Sequence, residues 1–133
     1  MNKGKILVVD DSEVVLGRIR QVLEQADFEV VTTSQTVGAA RHLRGVDLVI
    51  LDYHMPGITG EAVAASLRNA AKAVGMAPDI YLYTSDPNIS RALPGFDGCF
   101  SKKGDDDALL AQVDAAFRLR RVRAAGSRPR GLR

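Results

Sequence analysis

The chain has no tryptophan, three tyrosines, four phenylalanines and a single cysteine among its 133 residues. Cys99 alone cannot close an internal disulfide, so packing and hydrogen bonding must hold the fold, as suits a reducing compartment. No apolar run approaches the ~20 residues that a membrane helix requires. Met1-Asn2-Lys3-Gly4-Lys5 leads straight into a strand-like segment, which fits neither a secretory leader nor a membrane span. A soluble cytoplasmic protein is expected. Acids are missing from one end: residues 118–133 carry seven arginines and no carboxylate, whereas residues 1–117 hold 11 bases against 16 acids, net −5. An acidic body with a basic tail argues against a chain-wide nucleic-acid surface and confines any such contact to the tail. With 46% hydrophobic and 26% charged residues, the chain fits one globular domain, expected over 1–120, with 121–133 a basic extension or truncated linker.

Ile6-Leu7-Val8-Val9 is a β-branched run ending at Asp10-Asp11. Ser12 then caps Val15, Leu16, Ile19, Val22 and Leu23 at helical spacing. Phe28 to Thr32 reads as a second strand, and Val37, Ala40 and Leu43, closed by Gly45, as a short second helix. Asp47 to Leu51 is a third strand, apolar on both faces as a sheet covered by helices requires. Gly60 to Val74 is an alanine-rich helix stopped by Gly75, and Ile80 to Tyr83 a fourth strand. Cys99-Phe100 is a weak fifth strand, and Leu109, Leu110, Val113 and Phe117 mark a last helix running up to Ala125. No internal repeat is present. This alternation predicts an α/β flavodoxin-like (βα)5 three-layer sandwich whose parallel sheet has the order 2-1-3-4-5.

Sites in such sheets lie at the carboxyl ends of the strands, where the strand order reverses. There the sequence sets Asp10 and Asp11, Asp52, Thr84 and Lys102. Three carboxylates about 5 Å apart repel at roughly 3 kcal/mol per pair for an effective dielectric near 20. Two remedies exist: some carboxylates stay protonated, or a divalent cation sits among them. An all-oxygen, open site favours Mg²⁺, with Mn²⁺ as its substitute. A cation makes Asp52 a nucleophile toward activated phosphorus. The Thr84 hydroxyl can donate a hydrogen bond to one phosphoryl oxygen, and the Lys102 ammonium can pair with another.

Asp10-Asp11 after an apolar strand, Asp52-Tyr53-His54-Met55-Pro56-Gly57-Ile58-Thr59-Gly60 (D-x-x-M-P-x-x-x-G), Thr84 after a strand and Lys102 near the last strand occur in one order. In these motifs, over about residues 4–120, the chain resembles the CheY-like receiver domains of two-component signalling. The resemblance implies a signalling phosphoprotein rather than an enzyme, at most phosphorylating itself from small donors and losing the group again. It implies a metal held by Asp10, Asp11, Asp52 and the backbone carbonyl of His54, with Asp52 as phosphoacceptor and Thr84 and Lys102 stabilising the phosphoryl group. Implied partners are a sensor histidine kinase or phosphotransfer protein and a downstream protein target, with the chain a monomer or weak dimer.

Three positions depart from the family. Lys103 stands where a proline usually follows the lysine, often through a cis bond. A cis bond before a non-proline residue costs about 3–4 kcal/mol, so trans is expected and the reach of Lys102 is at issue. Cys99 occupies the place of the family's switching aromatic. Only 18 steps separate Thr84 from Lys102, about one helical turn, or roughly 4 residues, fewer than is common. With Pro94-Gly95 closing the segment, a short or irregular fourth helix is expected. These departures predict an altered readout, and keep open a second reading, a pseudo-receiver scaffold that phosphate does not regulate. A third, a metal-dependent phosphohydrolase, lacks an Asp-x-Asp motif and an evident general acid.

Overall fold

The computed structural model describes residues 3–35, 38–52, 59–85 and 95–126. Five strands form one parallel sheet: β1 (Lys5–Val9), β2 (Glu29–Thr33), β3 (Leu48–Asp52), β4 (Asp79–Thr84) and β5 (Gly98–Ser101). Their order is β2-β1-β3-β4-β5, as the alternation predicts. Among the described residues, three α-helices flank it: α1 (Glu13–Gln25), α2 (Gly60–Ala73) and α3 (Asp106–Gly126). Residues 86–94, on which the expected short fourth helix falls, and His54 lie outside the described residues.

Successive strand residues point to opposite faces, and the two cores divide accordingly. Ile6, Val8, Ile50, Tyr81, Tyr83 and Phe100 pack with Leu16, Ile19 and Leu23 of α1 and Val113 and Phe117 of α3. Leu7, Val9, Val49, Leu51 and Ile80 pack with Val63, Leu67 and Ala71 of α2. The sheet is therefore buried on both sides, which is why its strands read as continuous apolar runs.

Caps set the helix limits. The Ser12 and Thr59 hydroxyls accept from the backbone N–H of Val15 and Ala62. At the far end of α2, Gly75 takes φ +75°, its N–H donating to the Lys72 carbonyl and that of Met76 to the Ala71 carbonyl. This is the paired closure that a left-handed glycine permits. The second helix of the sequence reading is instead one 3₁₀ turn, Ala39–His42. Gly38 (φ +82°) and Gly45 (φ +74°) both adopt left-handed backbone, and the few residues between them leave no length for an α-helix.

Candidate functional site

Asp10 follows β1, Asp52 ends β3, Thr84 ends β4 and Lys102 follows β5. The sheet register sets Val9 beside Leu51, Asp52 beside Tyr83, and Thr84 beside Ser101. One carboxylate oxygen from each of Asp10, Asp11 and Asp52 falls within 4.8 Å of the other two. Asp10 and Asp52 are buried, at 2% and 4% exposure, while Asp11 is exposed to solvent. The crossover from β2 to β3 passes over β1, so Asp10 and Asp52 face each other where the strand order reverses.

Lys102 reaches this cluster. Its Nζ donates to Asp52 Oδ1 at 2.8 Å, and its backbone N–H to the Thr84 carbonyl at 2.9 Å. All peptide bonds among the described residues are trans, so the ammonium arrives at Asp52 without the cis bond that proline would favour. Thr84 is buried. His54, with its expected carbonyl ligand, lies outside the described residues.

The charges do not balance. Asp10 Oδ1 accepts from the Ser12 N–H at 2.9 Å, but Oδ2 is buried and has no hydrogen-bond partner among the described residues. Burial raises the Asp10 pKa above the ordinary carboxylate value; the Ser12 bond opposes this, Asp52 adds to it, Lys102 opposes it and Asp11 adds to it. Among the described residues, three carboxylates with one ammonium leave an excess of negative charge beside a buried oxygen that has no hydrogen-bond partner. Such a donor set fits a hard divalent cation coordinated only by oxygen.

Two features were missed in the sequence reading. Tyr83, read there only as the end of the fourth strand, places its ring 5.3 Å from the Lys102 Nζ, centroid to nitrogen. At the opposite end of the sheet, Asp79 is buried and pairs with Arg120 and Arg123 of α3. A lone aspartate opening an apolar strand, with two arginines three residues apart downstream, was the available signal.

A family model described as the response regulator receiver domain matches residues 6–114. The chain belongs to this family. The receiver is 31% identical over 121 residues to the CAI-1 autoinducer sensor kinase/phosphatase CqsS of Vibrio cholerae, an alignment taking in 86% of this chain and 17% of that protein. To the transcriptional regulatory protein YkoG of Bacillus subtilis it is 32% identical over 124 residues, covering 89% of this chain and 53% of that one. It therefore spans at most about half the length of these relatives. Among solved structures, the response regulator TrrA of Thermotoga maritima in complex with Mg²⁺ and BeF superposes with a TM-score of 0.70 at 29% identity, over 86% of this chain and 98% of that chain. Receivers are signalling domains of two-component systems rather than classical enzymes, and they bind Mg²⁺ at an acidic pocket of this kind.

Proposed function

We propose that this receiver accepts a phosphoryl group on Asp52, in a Mg²⁺-dependent reaction with a histidine kinase, a phosphotransfer protein or a small phosphodonor, and that the added charge controls contacts with a downstream protein. The observation that carries this reading is the position of the Asp52 carboxylate, between two further carboxylates and an ammonium that already touches it. Asp10, Asp11 and Asp52, with the His54 carbonyl that the resemblance adds, would hold Mg²⁺ or Mn²⁺. The cation supplies charge neutralisation for the incoming phosphoryl oxygens. An Asp52 oxygen forms the new O–P bond as the bond from phosphorus to the donor nitrogen or oxygen breaks, its electron pair leaving with the donor. Lys102 transfers its hydrogen bond to a phosphoryl oxygen, and the Thr84 hydroxyl donates to another.

A second reading, a scaffold that phosphate does not regulate, draws on Lys103 in place of proline and on the small thiol of Cys99 in β5. The 2.8 Å contact of Lys102 with Asp52 weighs against it. Incubation with Mg²⁺ and acetyl phosphate or phosphoramidate, read by intact mass, separates the two. A phosphate-sized gain that is absent in Asp52→Asn and in EDTA is expected. No gain with any donor would leave the scaffold.

A further inference from the structure

Lys102 has a long flexible stem, and holding its ammonium at one place costs rotamer entropy. Its backbone is tied to β4 through the Thr84 carbonyl, and the Lys103 N–H donates to the Ser101 hydroxyl at 3.1 Å, but neither bond fixes the ammonium at the end of the stem. The side chain nevertheless extends to Asp52, and what lies beside its ammonium is the ring of Tyr83, 5.3 Å away at the centroid. Tyr83 is firmly placed. Its backbone pairs with Asp52 on one side and Phe100 on the other, its side chain is buried, and it shares a core with Tyr81 and Phe100, whose rings stack at 4.5 Å. The negative face of an aromatic ring attracts an ammonium, and more strongly where water is partly excluded.

We propose that Tyr83 is a positioning residue: its ring face holds the Lys102 ammonium beside Asp52, in place of the turn that a proline at position 103 would impose. The ring face and not the hydroxyl does this, so phenylalanine can substitute and leucine, apolar but without a ring, cannot. The effect on phosphorylation rests on the reading of Asp52 as phosphoacceptor; the placement of Lys102 does not.

Two measurements test it. In NMR spectra of the full chain, the Lys102 ε-methylene protons should be shifted upfield by the ring, and should stay so in Tyr83→Phe and move to ordinary lysine values in Tyr83→Leu. In Mg²⁺ and acetyl phosphate, Tyr83→Leu should slow labelling about three- to tenfold, Tyr83→Phe should restore the rate, and Tyr83→Leu should add no further loss in a Lys102→Ala background. Ordinary Lys102 shifts in the wild type overturn the proposal. So does an equal loss from Tyr83→Leu with and without Lys102, which would mean that the ring acts through the fold. If the wild type takes no phosphate, the function proposed above fails, while the upfield shift still decides the role of Tyr83.

Discussion

Asp10 shows what a single buried carboxylate does to this receiver. One oxygen is satisfied by Ser12 and the other is not, and burial together with Asp52 and Asp11 disfavours its charge more than Ser12 and Lys102 favour it. In metal-free protein at neutral pH, Asp10→Asn should therefore raise stability by about 1 kcal/mol, measured by urea unfolding in EDTA, and should abolish any gain on adding Mg²⁺. Tyr81 titrates at the other extreme. Burial raises its pKa above 10.0, the charge of Asp79 adds to this, Arg123 opposes it and Asp97 adds to it. The folded state thus keeps the phenolic proton where the unfolded chain has released it, so this stabilisation is full below about pH 10 and is lost as pH rises through the raised value. Tyr81→Phe should flatten that alkaline decline, seen as urea midpoints falling less between about pH 9 and pH 11. Next to the same ring, a Cβ on Gly98 would sit 2.5 Å from Tyr81 Cε2. Gly98→Ala should cost about 1–3 kcal/mol by overpacking, with weaker near-UV circular dichroism from the displaced ring.

Helix α3 continues unbroken past residue 120, and its later turns are fastened beneath the sheet. Arg120 pairs with Asp79 at 3.5 Å and donates to the Ala77 carbonyl at 3.0 Å. Arg123 pairs with Asp79 and approaches Asp97, which also takes Arg68 at 3.1 Å and the Ile80 N–H at 2.8 Å. Exposed pairs are each worth little, but Asp79 is buried and depends on both arginines. Arg120→Ala combined with Arg123→Ala should leave that carboxylate uncompensated and lower unfolding stability by about 2–3 kcal/mol. In the same chemical melt, Arg118→Ala with Arg121→Ala, both at exposed positions, should stay within about 0.5 kcal/mol of wild type. The strands and most helix limits were legible because caps and periodicity are local. Ser12, Gly45 and Gly75 stood in the sequence at the ends they set. Gly38 was not recognised as a second left-handed stop, and so a helix was expected where one 3₁₀ turn forms.

At the scale of the whole molecule, alternation was enough to read the order β2-β1-β3-β4-β5, because handedness and short connections allow few other sheets. The strand ends that gather Asp10, Asp11, Asp52, Thr84 and Lys102 followed from that order. What did not follow were contacts between segments far apart in the chain: Lys102 on Tyr83 has no local signal, and the lone Asp79 opening an apolar strand and the arginines of α3 each stand out without naming the other as partner. The site should also couple to global stability. Mg²⁺ at a hundredfold excess over its dissociation constant should add about 2.7 kcal/mol, read as a rise in melting temperature that is lost in Asp52→Asn. Helix α3 carries the last consequence. It opens with Asp106 and Asp107, just after Asp105, and closes on Arg118, Arg120, Arg121 and Arg123, about 30 Å of helix for its 21 residues. The carboxylates of its first turn thus lie at the same end of the sheet as Asp10, Asp11 and Asp52, and its arginines at the other. The rate at which a cationic partner meets the acidic end should fall as added salt shortens the reach of those charges.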